Sequence, residues 1–241
     1  MVDVEFDRCY LLHTYPFQDN SVIADFLSYH HGRQRAVIKN IRNTKKSPLR
    51  ALVQPLTLLQ MCWRGKTELK TVTSIEASGK RFMLHQQRLY SAFYLNELIV
   101  RLIQLGDESA ELFEAYEQAL FQLEGDASLG FILRRFEFFL LQHLGYGIDW
   151  HRDLSGNSLS AKLFYRLDGI NGYYPSVNGE GYLGRHLLSI AAGDFGINDA
   201  QLAHQAKHLC RSLLMPHLGA EPLKSRALFI GCQTQRPRDN L

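Results

Sequence analysis

Three groups of residues have types and spacings that suit chemistry. Gly65-Lys66-Thr67 matches the end of a phosphate-binding P-loop, in which backbone N–H groups and a lysine cradle phosphates. That motif needs a glycine five positions before Gly65 and a helix after the threonine. Gln60 stands at the first position and a strand pattern follows, so the segment reads as a hairpin turn. His204 and His208 lie four apart at a spacing that binds zinc on a helix. No Cys or carboxylate at helical spacing completes a ligand set, although Asp199 is nearby, and the pair reads as helix-face histidines.

The third group is a run of charge. From Phe26 to Lys66 there is no Asp or Glu, where an even spread of the chain's 24 acids would place about four. The same stretch carries Arg33, Arg35, Lys39, Arg42, Lys45, Lys46, Arg50, Arg64 and Lys66. A block of one sign suits a polyanion, or else a solvated loop balanced by the rest of the fold. Single-stranded nucleic acid is usually held by a basic groove with stacking rings. Tyr10, Tyr15, Phe17, Phe26, Tyr29 and Trp63 are interleaved with the basic residues, and most of them are expected in the core.

Signals for catalysis are absent. There is no G-x-S-x-G, no evident Cys/His pair, and no paired carboxylates on an apolar pattern. Gly169–Gly184 is glycine-rich but has no G-x-G-x-x-G between a strand and a helix, so hairpin geometry explains it.

The elements that must position these residues fall into two patterns. Short strands are expected at 8–13, 21–27, 33–38, 53–63 and 67–75, with turns at Pro16–Asn20, His31-Gly32 and Arg64-Gly65-Lys66. Five such strands in about 80 residues suggest a small closed sheet. The basic loop Lys39–Ser47 then joins the third strand to the fourth. After Gly79 the apolar period becomes helical over 84–105, 109–123, 128–144, 184–192 and 198–214. Ser109 is placed to cap the second helix, Glu97 and Arg101 to pair along the first, and Gly145-Tyr146-Gly147 to end the third. A hairpin interrupts the helices at 161–177, and the polar tail after Gly231 is expected to fray.

Composition agrees with a globular chain. The 241 residues are 46% hydrophobic and 21% charged, with a net charge of +3. No apolar run approaches the ~20 residues of a membrane span. Asp3, Glu5 and Asp7 replace any signal-peptide pattern, so a cytoplasmic location is expected. Cys9, Cys62, Cys210 and Cys232 are far apart and read as free thiols.

In order along the chain, several short motifs resemble the bacterial recombination mediator family RecO. They are Tyr10–His13, Ser21–Leu27, Gly32-Arg33-Gln34-Arg35 with Ala36–Lys39, Leu52–Thr57, Glu68–Thr71 before Glu76-Ala77, and Tyr94–Leu98. Leu133–Glu137 running to His143–Gly147, then Leu218-Gly219 with Pro222–Arg226 and Leu228-Phe229, complete the set. The resemblance implies an α+β fold: a five-stranded OB-fold barrel over residues 1–79, then a mostly helical domain over 80–241 with a β-hairpin insertion. It implies a non-catalytic protein without cofactor. Such a protein binds single- and double-stranded DNA, anneals complementary strands, and contacts the single-strand binding protein SSB. With RecR it helps replace SSB by RecA.

Two departures stand out. Many family members carry four zinc-binding cysteines in the helical half; none of the cysteines here is so placed, and no zinc is expected. Where the family often has Lys-Gly-Ala-Arg, this chain has Lys39-Asn40-Ile41-Arg42, keeping the charges and losing the glycine.

Within that reading, Arg33, Arg35, Lys39, Arg42, Lys45, Lys46 and Arg50 are expected to neutralise DNA phosphates. The acidic SSB tail ends in an apolar residue and a carboxylate, which calls for an apolar pocket with an arginine at its mouth. Leu133, Arg134, Arg135 and Phe136 on the most apolar helix are the candidates, with Lys224 and Arg226 as a weaker basic pair. Either arginine could instead pair with Glu137 or Glu97. A protein–protein adaptor with an acidic partner, and an RNA-binding OB protein, remain the alternatives.

Overall fold

The computed structural model describes residues 2–41 and 48–233. The chain divides into two compact units, Met1–Gly125 with Pro222–Leu241, and Asp126–Glu221. The change from strand to helix near residue 80 therefore lies inside the first unit.

That unit is built on a closed barrel with strands β1 (Val2–Phe17), β2 (Ser21–Ser28), β3 (Gly32–Ile38), β4 (Thr57–Gly65) and β5 (Leu69–Arg81). Around the barrel the order is β1-β2-β3-β5-β4, with β3 and β5 parallel and every other pair antiparallel. This is the OB-fold arrangement. Alternate residues point inward: Cys9, Leu11, Ala24, Phe26, Ala36, Ile38, Leu59, Met61 and Trp63 fill the interior. Strand β1 is longer than the expected 8–13. Register shifts between Val4 and Asp7 and between Leu11 and His13 break its alternation, hiding its ends from a period-two pattern.

The fourth strand starts at Thr57 rather than Val53. A short helix α1 (Pro48–Leu52) takes the preceding residues, and Leu56 turns the chain at φ 65°. Val53 still packs into the barrel interior. At the tip of the β2–β3 hairpin, Gly32 has φ +62°, and a Cβ there would lie 1.7 Å from the Asp107 carbonyl oxygen. Only glycine fits.

Helices α2 (Gln86–Leu102) and α3 (Ala110–Glu124) complete this unit with α7 (Lys224–Gln233). Asn96 of α2 donates to the Leu12 carbonyl at 2.9 Å and accepts from the Tyr116 hydroxyl of α3 at 2.5 Å. Ser109 caps α3 by accepting from Leu112 N–H at 3.0 Å, as its spacing predicts. Helix α7 lies where no helix was expected, because its N-terminus is capped from a distant element. Glu97 accepts from the Lys224 and Ser225 N–H groups at 2.9 Å each and from the Ser225 hydroxyl at 2.6 Å.

In the second unit, α4 (Leu129–His143) packs on α6 (Ala200–Leu214), with α5 (Gly184–Ala191) beside it. Gly145 at φ 69° ends α4, with Gly145 N–H on the Gln142 carbonyl and Tyr146 N–H on the Leu141 carbonyl, a Schellman cap. The expected hairpin is β6 (Phe164–Asp168) with β7 (Gly172–Pro175), flanked by β8 (Tyr182–Leu183). Buried Tyr165, Tyr173 and Tyr182 anchor it. The Tyr165 hydroxyl accepts from Ser160 N–H at 2.8 Å, and the Tyr182 hydroxyl meets His208 Nδ1 at 2.7 Å.

Candidate nucleic-acid interface

Strand β3 carries the start of the basic stretch, and its register decides which charges reach solvent. Arg35 lies opposite Asp25 of β2, both on the outer barrel face. Asp25 is fully buried and sits between two guanidinium groups. Arg35 donates to both of its oxygens at 3.0 and 3.2 Å, and this hydrogen bonding raises the Arg35 pKa further. Arg33 donates to Asp25 at 3.0 Å and to the Ile103 carbonyl at 2.8 Å. Only 7% of Arg33 is accessible, so it ties the barrel to the end of α2 instead of facing a phosphate. Arg35 keeps a side chain 36% accessible at the edge of the same pair.

Lys39 is exposed immediately after β3, and Arg50 is exposed on α1. Arg42, Lys45 and Lys46 lie outside the described residues. Asn40 adopts the left-handed conformation at φ 58°, and buried Ile41 donates to the Asn20 carbonyl at 2.9 Å. Asparagine tolerates that left-handed conformation. The parallel pairing of β3 with β5 sets Lys70 beside Ala36, and Arg64 near the end of β4 and Lys66 in the β4–β5 turn are exposed. Lys70 escaped the sequence reading because it falls past the acid-free stretch, and only a non-local parallel ladder brings it to β3.

The opposite end of β3 is acidic. His31 faces Glu108 at 3.9 Å, while Glu114 and Glu117 of α3 accept from Tyr29, Arg8 and Tyr10. Strand β3 therefore runs from a carboxylate-lined end to a basic end, roughly 20 Å at 3.3 Å per residue. Tyr10, Phe26 and Trp63 are buried; Tyr15 is the exposed ring of the aromatics singled out on the outer strand face, at 38%.

In the second unit, the four candidates on α4 separate. Arg134 is buried and its Nε and Nη2 donate to the two carboxylate oxygens of Glu137, and Phe136 is buried. Leu133 is half-buried. Arg135 is exposed and lines a cavity of about 500 Å³ with Phe131, Phe138, Phe139, Trp150 and Phe195. Phe138 stacks on Phe195 at 5.2 Å and meets Trp150 edge-on at 4.8 Å, so the apolar wall is preformed.

The remaining chemical motifs have structural roles. Gly65-Lys66-Thr67 lies in the β4–β5 turn. Asp199 caps α6, accepting from Gln201 and Leu202 N–H at 2.9 and 3.0 Å. Cys9 and Cys210 are both buried. Among the described residues no cluster of three or more His, Cys, Asp or Glu is arranged for a metal. No helix among them is long and apolar enough to cross a membrane.

Comparison with known proteins agrees with the barrel-then-helices order. The chain matches the family models for the recombination protein O N terminal over residues 1–81 and the recombination protein O C terminal over 85–227. It is 41% identical over 231 residues to the DNA repair protein RecO of Cellvibrio japonicus, covering 94% of this chain and 97% of that protein. It is 37% identical to the DNA repair protein RecO of Haemophilus influenzae over 228 residues, or 93% of this chain and 95% of the relative. For the DNA repair protein RecO of Pseudomonas aeruginosa the identity is 38% over 232 residues, covering 95% and 96%. Matched by the two family models over residues 1–81 and 85–227, the chain belongs to the RecO family of DNA repair proteins.

Proposed function

We propose that this chain is a non-catalytic recombination mediator. It binds single- and double-stranded DNA on the basic end of the barrel, anneals complementary strands, and acts with RecR to replace SSB by RecA. The observation that carries the reading is an OB barrel whose β3–β4 connection holds the basic stretch, with Lys39 and Arg50 exposed at its two ends. Counterion release from phosphates then drives association with little sequence preference. Screening by the same surface lets two strands approach each other, and no bond is made or broken.

The SSB tail is assigned to the cavity beside Arg135. Its apolar residue fits against Phe131, Phe138 and Trp150, and its carboxylate meets the Arg135 guanidinium. Arg134 pairs with Glu137 on the same helix, and Phe136 is buried there.

The test is fluorescence anisotropy of a labelled single-stranded oligonucleotide across a salt series. The chain is compared with a variant carrying Ala at Lys39, Arg42, Lys45 and Lys46. Each lost phosphate contact should flatten the log–log salt slope by about 0.7. Absence of binding at low salt by the folded protein would remove the DNA reading and favour a protein–protein adaptor.

A further inference from the structure

Strand register builds a lateral row on the outer barrel face. Tyr15 of β1 lies opposite Ile23 of β2, Ile23 opposite Val37 of β3, and Val37 opposite Thr71 of β5. The adjacent row is His13, Asp25, Arg35 and Leu69. Ala36 and Ile38 point into the core, so Arg35 and Val37 point outward. Lys39 follows on the far side of Val37, about 13 Å from Arg35 at 3.3 Å per residue. Tyr15 and Val37 are two strand spacings apart, about 10 Å. An aromatic ring and two cations therefore share one sheet face.

Tyr15 is 38% exposed yet held on two sides. The His13 ring crosses it at 73° with 4.5 Å between centres. Burial and the Asp25 carboxylate push the Tyr15 hydroxyl above its ordinary value while Arg35 opposes them, so the hydroxyl end lies beside the Asp25–Arg35 pair. Burial also lowers the His13 pKa, which leaves a neutral aromatic neighbour at pH 7. The other barrel rings differ. Tyr10, Phe26 and Trp63 are buried, and Phe17 is half-buried. Tyr29 sits at the acidic end with its hydroxyl on Glu114, and exposed Phe6 stands between Glu5 and Asp7. Asp25 is neutralised by Arg33 and Arg35, and the exposed acids Glu68 and Asp19 stand at the start of β5 and in the β1–β2 turn.

We propose that Tyr15 is the stacking platform for one unpaired base of a single nucleic-acid strand, with the flanking phosphates on Arg35 and Lys39. An unpaired nucleotide uses both features of the face, its base on the ring and its phosphates on the cations. Fixing the ring beforehand lowers the entropy lost when a base settles on it. Every base has a π-face, so the contact is tolerant of sequence. Duplex DNA cannot make it, because paired bases already stack on one another. The assignment rests on the mediator reading and adds to it a means of telling single strands from duplex.

The experiment titrates the full chain by anisotropy with three labelled ligands: a thymidine oligomer, an abasic oligomer of the same length and charge, and a duplex. The parent should bind the thymidine oligomer more tightly than the abasic one. Tyr15→Ala should weaken the thymidine oligomer by about fivefold or more, the lower bound for one stacked base. Its affinities for the abasic oligomer and the duplex, and its salt slope, should match the parent, which also shows that the phosphate surface is intact. Tyr15→Trp, and Tyr15→Phe, which keeps the ring and loses the hydroxyl beside Asp25, should retain the preference for bases. Equal affinity of the parent for the two oligomers would overturn the assignment and leave the mediator reading standing. So would equal losses on both oligomers in Tyr15→Ala, or no loss on either. Absence of oligonucleotide binding by the folded parent would overturn both.

Discussion

Arg33 and Lys39 stand six positions apart in one basic stretch, yet the structure gives them opposite work. Arg33→Ala removes a guanidinium that is 9% exposed and holds both Asp25 and the Ile103 carbonyl. Breaking a buried ion pair by deleting one partner costs about 3–5 kcal/mol. Arg35 stays on Asp25 through two hydrogen bonds, so the lower end, about 3 kcal/mol, applies here. For a domain of this size each kcal/mol moves the melting temperature by about 2–4 °C, giving a fall of about 6–12 °C. Lys39→Ala touches an exposed side chain and should alter stability by less than about 0.5 kcal/mol. In oligonucleotide titrations the pattern reverses. Lys39→Ala flattens the salt slope by about 0.7, and Arg33→Ala leaves it unchanged at temperatures where the variant is folded. The assay pairs differential scanning fluorimetry with anisotropy on the same samples. An unchanged melting temperature for Arg33→Ala, together with a flattened slope, would refute the division of labour between these two cations.

Other outcomes follow from the same geometry. Arg135→Glu should abolish binding of an acidic tail peptide ending in an apolar residue, measured by calorimetry, whereas Arg134→Ala should lower stability because it removes the ion-pair partner of buried Glu137. Gly32→Ala forces a non-glycine residue to φ +62° against the Asp107 carbonyl; a loss of more than about 1–3 kcal/mol is expected in urea unfolding. Burial pushes the Glu97 carboxyl up, but Ser225, Lys224 N–H and Arg101 outweigh it and hold the pKa below its ordinary value. Its contribution to α7 is therefore present above the unfolded carboxyl range near pH ~4.3 and is lost as pH falls through the lower folded value. Glu97→Gln should raise hydrogen exchange in Lys224–Phe229 at neutral pH, and the difference from the parent should vanish in acid.

Much of the fold was legible because its signals are local. Strands β2 and β3 follow simple alternation around a glycine turn, and α3 begins at a serine whose hydroxyl reaches the expected N–H. The bulges of β1 and the helix over Pro48–Leu52 were not legible, since both interrupt a periodic pattern. Helix α7 was missed for another reason. Its N-terminal groups are satisfied by Glu97, 127 residues away in the chain, so no local cap announces it.

The candidate site shows the same boundary. Residue order alone establishes that a block of cations without acids joins the third strand to the fourth, and that an apolar helix carries Arg134-Arg135. Charge type and local periodicity are properties of neighbours in the chain. Which cations remain available depends on partners far away. Asp25 takes Arg33 and Arg35 through strand register, Glu137 takes Arg134 across one helical turn, and the β3–β5 ladder brings in Lys70. A buried carboxylate must be paired or it loses its charge, and that pairing is settled by which side chains folding brings together.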